Sequence, residues 1–291
     1  MSPASHLYSY RPVTDPVPYR WPKGRGLAVY VAVNLETYGP DATCLDELVP
    51  NPARPDLINH GWLDWGNRVG AWRLLEAMTE AGIAATALVN SDIYTAAPGL
   101  VDAWRAAGAE IAAHGRTNGE SQSGMSPSDE RALITEATTE IARYEGKAPA
   151  GWLSPWIAET PVTPDLLAEA GYKYVLDWGA DDRPFELETK AGALLAMPYP
   201  QEANDANAIA VRRESAAVFR DICISQIEEM RRQASQGPLV CPIALHPHII
   251  GQAHRLYYFR EVLAHLASLS EEIWLTTAGE IARVSRAGEP H

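Results

Sequence analysis

The sequence predicts an α/β protein in which a parallel β-sheet, closed into a barrel, is surrounded by helices. Segments with the pattern of buried strands alternate with amphipathic helical segments along the whole chain, which is typical of parallel sheets. About seven or eight such units in one chain favour a closed barrel over an open sheet. An apolar content of 46% is enough for a large core.

The predicted strands are short apolar runs rich in β-branched residues. The first of them, residues 27–33, reads LAVYVAV, a continuous apolar run that suits a strand buried on both faces. Similar runs recur along the chain, and most of them end abruptly in polar residues. The predicted strands are 27–33, 83–89, 109–113, 148–153, 172–176, 193–197, the run that ends at Leu245, and 273–275.

The predicted helices carry apolar residues at spacings of three and four. Ser126 followed by Pro127 is a typical helix start, and Ile134, Ala137 and Ile141 continue the pattern. Several helices are predicted to stop at a glycine. The predicted helices are 67–81, 97–107, 127–144, 163–170, 215–235, 254–269 and 277–284.

The domain organisation predicted from these elements is one barrel with short extensions. Residues 1–26, which hold five prolines, are interpreted as an extended surface arm, 27–285 as a single barrel domain and 286–291 as a tail. Residues 39–66 interrupt the pattern as a long irregular insertion, which is usually functional or mobile in a compact domain. Its aromatic end, 62–65, either covers a pocket or packs in the ordinary way.

Charge and composition limit the classes of partner and the compartment. The net charge of −13 argues against binding to nucleic acids or anionic membranes, which require basic surfaces. No apolar run approaches the roughly 20 residues that span a bilayer, and the N-terminus has no apolar signal sequence. The three cysteines, Cys44, Cys223 and Cys241, show no paired spacing and are interpreted as reduced thiols. A cytoplasmic protein acting on a small molecule is the expectation.

Polar side chains follow the predicted strands at the points where those strands end. The carboxyl ends of parallel barrel strands converge on one mouth, where barrel enzymes carry their active sites. Some of these residues, such as Ser154, could instead only cap the next helix. Two histidines and a glutamate directly after buried strands are harder to attribute to capping. The candidate site residues are Glu36, Asn90, His114, Asn118, Ser154, Asp177, Asp181, His246 and His248.

Four motifs resemble, in order and spacing, those of the polysaccharide deacetylase family over roughly residues 25 to 285. They are Asn34-Leu35-Glu36, His114-Gly115-Arg116-Thr117-Asn118, Gly151-Trp152-Leu153-Ser154-Pro155 and Leu245-His246-Pro247-His248. The resemblance implies a distorted (β/α)7-8 barrel of the polysaccharide deacetylase type. It also implies that Leu35 and Glu36 replace the family's two adjacent aspartates, and that Asn118 replaces the second zinc histidine.

These departures make the chain look similar to one branch of that superfamily. Because a carboxamide is a poor zinc ligand beside imidazole, the family's usual ligand set is incomplete. The branch includes allantoinases and cyclic imide hydrolases described as working without a bound metal. The features that resemble the branch are Trp152, the acidic cluster from Asp177 to Asp182, and the sequence around His246. No cofactor is therefore expected; if zinc were bound, Glu36 and His114 would be ligands. Related barrels are often homo-oligomers.

The candidate residues supply the groups that amide hydrolysis requires. Water must be activated, the oxyanion stabilised and the leaving nitrogen protonated. No Gly-x-Ser-x-Gly motif suggests a serine nucleophile, so water is the expected nucleophile. Glu36 and His246 are predicted to act as base and acid. His114 and Asn118 are predicted to donate hydrogen bonds to the carbonyl or its oxyanion, and Asp177 and Asp181 to orient a histidine or the substrate N–H groups. The other predicted roles are flat apolar walls from Trp152 and Trp178 and further substrate contacts from Asn90 and His248.

Three functions remain open from the sequence. The leading one is a metal-independent hydrolase that cleaves a carbon–nitrogen bond in a small cyclic amide, such as an imide, hydantoin or ureide. The second is a metal-dependent deacetylase of an N-acetyl sugar or other small amide, and the third is an inactive barrel that acts as a binding module. Retention of Glu36, His114 and His246 together weighs against the third.

Overall fold

A curled β-sheet organises the residues that the computed structural model describes, which are 7–17, 19–39 and 47–288. Cys44, the outer part of the predicted arm, Pro18, residues 40–46 of the predicted insertion and the end of the predicted tail lie outside this range. The strands are β1 Leu27–Leu35, β2 Ala85–Val89, β3 Glu110–Ala113, β4 Gly151–Trp152, β5 Tyr174–Val175, β6 Phe185–Thr189, β7 Gly192–Ala196, β8 Leu239–Leu245 and β9 Trp274–Leu275.

The strand order confirms the predicted α/β barrel class. Neighbours follow the path β6-β7-β5-β4-β3-β2-β1-β8, and β9 pairs with the beginning of β1. All pairs are parallel except the β6–β7 hairpin. The register aligns Leu35 with Val89 and Val33 with Leu245. The carboxyl ends of β1, β2 and β8 therefore lie side by side.

Loop segments, not a further strand, cover the outer edge of β8. The Val240 amide donates to Asp182 O at 2.9 Å, and the Ala244 amide donates to Ala203 O at 2.9 Å. Asp182 lies in the loop just before the β6–β7 hairpin, and Ala203 lies in the loop after it. This irregular closure is what makes the barrel distorted. It also brings residues 203–205 to the end of β8.

The helices surround the sheet in the predicted alternation. The Ser126 hydroxyl accepts the Asp129 amide at 3.2 Å, so the predicted helix start is confirmed. Within the described ranges, no helix is both long and apolar enough to cross a membrane. The helices are α1 Leu57–Trp65, α2 Ala71–Glu80, α3 Ile93–Ala96, α4 Leu100–Ala106, α5 Pro127–Glu145, α6 Thr163–Glu169, α7 Ala216–Gln233, α8 Pro247–Ile250, α9 Ala253–Ser268 and α10 Ala278–Ala287.

Side-chain alternation along β1 separates two buried layers. Ala28, Tyr30 and Ala32 belong to the cluster inside the barrel. Their neighbours, together with Leu35, belong to the larger cluster between the sheet and the helices. Because successive side chains of a strand point to opposite faces, Asn34 and Glu36 continue the inner row. Leu35 points away from the barrel interior, so it does not present a side chain where the resemblance placed an aspartate.

Several elements differ from the sequence prediction, among them the short helices α3 and α8, which were not predicted. The insertion predicted as irregular contains α1, which a π-helical turn, Gly66–Gly70, joins to α2. Trp62 and Trp65 stack on each other with ring centroids 6.0 Å apart, which supports ordinary packing at this position. Strand β6 was not predicted, because its sequence FELET alternates polar and apolar residues at an edge of the sheet.

Candidate active site

A cavity of about 280 Å³ opens at the carboxyl ends of the strands. The predicted site residues that line it come from β1, the β3 loop, the β4 loop and the turn after β8. They are Glu36, His114, Asn118, Ser154, His246 and His248; Ser154 is the contribution of the β4 loop. Residues that lie far apart in the sequence therefore meet in one cleft because their strands are parallel neighbours.

Glu36 is the centre of the hydrogen bonds in this cleft. Its Oε1 accepts from Asn118 Nδ2 at 2.6 Å and contacts His114 Nε2 at 3.2 Å. Its Oε2 accepts from the Tyr38 hydroxyl at 2.5 Å. Burial alone would raise the pKa of Glu36, but His246, the His114 hydrogen bond and His248 outweigh it and lower the pKa to about 2. Glu36 is therefore a carboxylate over the whole physiological range.

His246 is held by a buried aspartate that the sequence analysis did not identify. Its Nδ1 lies 2.7 Å from Asp205 Oδ1, and its backbone amide donates to both Asp205 oxygens at 3.0 and 2.9 Å. Its Nε2 lies 3.8 Å from Glu36 Oε1. Burial favours the neutral imidazole, but the charges of Asp205 and Glu36 raise the pKa of His246 above its ordinary value. The imidazole thus connects two carboxylates.

His114 and Asn118 are fixed by backbone contacts at the ends of β2, β3 and β4. His114 Nδ1 donates to Leu153 O at 2.8 Å, which directs Nε2 at Glu36. Asn90 lies behind both residues: its Oδ1 accepts the Thr37 amide at 2.8 Å, and its Nδ2 donates to His114 O. Asn90 does not line the cleft. It ties the ends of three strands together, which differs from the predicted substrate contact.

Asp177 lies one layer behind the cleft. Its Oδ1 accepts the Ser154 amide at 2.8 Å, and burial raises its pKa. Glu159 lies next to it, and burial together with the Asp177 charge raises the pKa of Glu159. Since Ser154 and His114 line the cleft and Asp177 does not, Asp177 can act on a ligand only through such neighbours. This position does not give Asp177 the predicted contact with substrate N–H groups, whereas the orientation of a histidine stays a prediction.

The structure does not bring three other predicted residues to the cleft. Trp152 is fully buried in the outer layer, because strand alternation turns Leu153 inward instead. Trp178 donates from Nε1 to Glu159 at 3.1 Å and packs against Tyr8. Asp181 pairs with Arg183 at a separate groove. These positions correct the prediction that Trp152 and Trp178 form the walls and that Asp181 orients the substrate.

The tryptophan that lines the cleft among the described residues is Trp156, which the sequence analysis missed. Trp156 and Ile157 both line the cavity and both have positive φ angles, 63° and 54°. Left-handed backbone at non-glycine residues costs of order 1–3 kcal/mol each and is held only where the surroundings enforce it. Here the Trp156 Nε1 donates to Asn118 O at 2.8 Å. No local pattern marks such a turn, although the Ser154-Pro155 pair preceding it indicated a loop.

The ligating groups of the cleft do not fit a zinc site. Among the described residues, no group of three or more His, Cys, Asp or Glu side chains is arranged to hold a metal ion. Glu36 and His114 are adjacent, but Asn118 presents its NH₂ group to Glu36 where a third ligand would be required. His114 alone has the orientation of a metal ligand, since its Nδ1 is bound to a backbone carbonyl.

Comparisons with known proteins agree with this architecture. The Polysaccharide deacetylase family matches residues 61–175. A Schizosaccharomyces pombe protein named "Putative polysaccharide deacetylase" is 24% identical over 304 residues. The match covers 93% of each chain. The structure of PuuE allantoinase is 25% identical with a TM-score of 0.86, covering 95% of each chain. A probable polysaccharide deacetylase from Pseudomonas aeruginosa PAO1 has the same fold, with 22% identity, a TM-score of 0.85 and coverage of 95% and 96%.

The fold and the cleft together define a polysaccharide deacetylase-like hydrolase. Residues 61–175 match the polysaccharide deacetylase family, and the fold is the distorted barrel of the polysaccharide deacetylase type that the motifs predicted.

Proposed function

We propose that this protein hydrolyses a carbon–nitrogen bond in a small cyclic amide, such as an imide, hydantoin or ureide, with water as the nucleophile. The observation that carries the proposal is the Glu36–His246–Asp205 arrangement at the floor of the cleft. A carboxylate and an imidazole of raised pKa, 3.8 Å apart, can serve as a base and an acid in one reaction. The likeness to PuuE allantoinase supports a substrate of this class.

The proposed reaction balances through these two residues, because the proton that Glu36 takes from water finally passes to His246 Nε2 and replaces the one given to the nitrogen. Glu36 accepts a proton from water as the water oxygen bonds to the carbonyl carbon. His246 donates the proton from Nε2 to the nitrogen as the carbon–nitrogen bond breaks. The two transfers assist each other: once His246 is neutral, it no longer lowers the pKa of Glu36, so Glu36 becomes a better base. Asp205 stabilises the protonated imidazole before the transfer.

The size and charge of the cleft favour a small, uncharged ligand. A cavity of about 280 Å³ lies just below the usual range for drug-sized molecules. Among its described lining residues there is no lysine or arginine, while Glu36 and Asp205 bring negative charge. Trp156 offers a flat face to a planar ring. An anionic ligand would find no lysine or arginine among these described residues, only the proposed acid His246.

A metal-dependent deacetylase is the second candidate, and the orientation of His114 is the observation that favours it. Its Nε2 faces Glu36 in the way that a metal-binding histidine faces its ion. Glu36 and His114 would hold the metal, and the metal would supply a polarised water molecule. The remaining neighbours of Glu36 are hydrogen-bond donors, which opposes this candidate.

The experiment that tests the proposal is a substrate panel combined with metal analysis. We expect turnover of cyclic imides, hydantoins or ureides that is unchanged after chelation. Glu36→Gln should reduce kcat by at least about 100-fold, a typical loss for general-base catalysis. Glu229→Gln, an exposed residue of α7, is the matched control and should retain wild-type turnover.

Two results would contradict the proposal. Cleavage of N-acetyl sugars that chelation abolishes, together with stoichiometric metal in the purified protein, would establish the deacetylase. Ligand binding in calorimetry without turnover of any compound would establish a binding module.

A further inference from the structure

Asn34 lies next to the proposed acid but has no part in the reaction described above. It is on the inner row of β1, two residues before Glu36, and only 1% of it is exposed. The register of β1 and β8 pairs Val33 with Leu245, so Asn34 lies beside the start of the His246 turn. It also lines the cleft. A polar residue at such a buried position requires partners for all its polar atoms.

The amide nitrogen of Asn34 is fully engaged, but its carbonyl oxygen is not. Nδ2 donates one hydrogen to Leu245 O at 3.1 Å and the other to the Tyr199 hydroxyl at 3.2 Å. Because Leu245 O can only accept, turning the amide over would place Oδ1 against an acceptor. No described residue donates a hydrogen bond to Oδ1. This oxygen is not fully shielded from solvent. Oδ1 is therefore an open acceptor at the cleft.

We propose that Asn34 Oδ1 accepts a hydrogen bond from an N–H group of the substrate, at the nitrogen that His246 faces, and so determines specificity. This inference rests on the proposed function, since it assumes that His246 faces the leaving nitrogen. A nitrogen that carries a hydrogen satisfies the acceptor. An N-alkylated nitrogen brings a methyl group against it, and an ester oxygen brings a second acceptor. Asn34 thus selects N–H substrates over N-alkyl and oxygen analogues.

The size of the selection follows from the cost of a buried acceptor without a partner. Sites built to bind a substrate N–H or O–H reject analogues that lack it more strongly than apolar pockets reject an extra methyl group. For a single neutral hydrogen bond we expect roughly a 10- to 100-fold preference in kcat/KM. Tyr199 and Leu245 keep the amide in place before the ligand arrives, so no reorientation is needed.

The test compares a cyclic imide or hydantoin with its derivative methylated at the scissile nitrogen. Each kcat/KM is divided by the rate constant of hydroxide-catalysed hydrolysis of the same compound, which removes intrinsic reactivity. For the wild-type protein we expect the normalised ratio to favour the N–H compound by roughly 10- to 100-fold. In Asn34→Ala the ratio should fall towards one. In Asn207→Ala, a change at the rim of the same cleft, it should stay at the wild-type value.

Each outcome decides something. Equal normalised values for the two compounds in the wild-type protein overturn the assignment while the proposed function stands, and this arm requires no variant to fold. If Asn34→Ala lowers kcat/KM for both compounds by the same factor, the assignment is also overturned, because a purely structural role would leave the ratio of the two values unchanged. If the wild-type protein cleaves neither compound nor any other cyclic amide, the proposed function itself fails, and this inference fails with it.

Discussion

The charges of three residues set the acid–base properties of the cleft. Asp205 is fully buried and touches both Nδ1 and the backbone amide of His246. It therefore fixes the ring orientation as well as the protonation state, leaving Nε2 to face Glu36. Because the pKa of Glu36 is lowered to about 2, Glu36 does not change its charge in the range where His246 titrates. Loss of activity towards high pH should then report His246.

Asp205→Asn should move the basic limb of the pH profile. The charge of Asp205 raises the pKa of His246, so removing it lowers that pKa, and the protonated acid is lost at a lower pH. We expect the basic limb of kcat/KM to shift towards acid and kcat to fall at least about tenfold. An NMR titration of the imidazole provides an independent measurement.

The control for this prediction is Glu228→Gln. Glu228 pairs with His265 at 2.9 Å on the surface, so this variant removes a carboxylate from a histidine pair outside the cleft. The profile should not change. A basic limb that is the same in Asp205→Asn and in the wild-type protein would show that His246 is not the acid.

Glycines determine how closely the His246 turn approaches the helix that follows α1. A Cβ atom on Gly66 would lie 2.9 Å from the His248 amide nitrogen, and one on Gly70 would overlap the Pro247 carbonyl. Both glycines lie in the π-helical turn Gly66–Gly70. This turn also holds Asn67, whose Nδ2 donates to Glu36 O at 2.7 Å. One short element therefore supports the β1 end and the β8 end together.

Gly70→Ala should disturb both stability and activity. The added methyl group must push α8 and the His246 turn away, and overpacking of this kind typically costs about 1–3 kcal/mol in the free energy of unfolding. Because small displacements of reacting groups are costly, we expect kcat/KM to fall by at least about tenfold. Urea denaturation and steady-state kinetics measure the two effects.

Gly61→Ala is the matched control, since Gly61 lies in α1 and nothing surrounds its Cβ position within 4 Å. Alanine in a helix is more favourable than glycine, so this variant should be as stable as the wild-type protein or more stable. Identical behaviour of the two variants would show that the turn tolerates displacement.

A partly buried carboxylate joins three elements at the end of the barrel opposite the cleft. Glu110 begins β3; its Oε1 accepts from the Tyr174 hydroxyl at 2.8 Å, and its Oε2 accepts from the Gly279 amide at 2.8 Å. It thereby joins β3 and β5 to the first turn of α10. Burial raises the pKa of Glu110, and the hydrogen bonds it accepts offset part of this effect. The contact stabilises the fold without touching the candidate active site.

Glu110→Ala should separate stability from activity. Removing the carboxylate leaves buried donors without a partner, so we expect a loss of about 2–3 kcal/mol in the free energy of unfolding. The folded fraction should keep kcat within about twofold of the wild-type value, because barrel stability and chemistry reside at opposite ends. Thermal unfolding and kinetics at a permissive temperature test this.

The comparison variant is Glu186→Ala, which removes a half-exposed carboxylate 3.9 Å from Arg286 and should cost little. A catalytic defect in Glu110→Ala at full folding would show that the two ends are coupled.

Local sequence patterns predicted most helices and strands, but they did not always predict which side of a helix is buried. The sequence predicted a helix over 67–81, and the apolar spacing of Val69, Trp72, Leu75 and Met78 favours one buried side that includes Trp72. The structure buries Ala71, Leu74, Ala77 and Met78 and exposes 44% of Trp72. Which stripe of a helix faces the sheet depends on how closely the elements approach, and here small residues and glycines allow a close approach. The periodicity of apolar residues does not determine the distance between a helix and the sheet.

The sequence by itself determined the strand–helix alternation, and with it the meeting of Glu36, His114, Asn118 and His246 at one mouth. Parallel strands end together, so residues directly after them converge whatever the details. Only the tertiary structure decided that Asp205 holds His246 and that Trp156, not Trp152, faces the cleft. Asp205 lies 41 residues before its partner and reaches it because a loop covers the edge of β8. Contacts made by irregular segments depend on closure of the whole barrel, and no local periodicity encodes them.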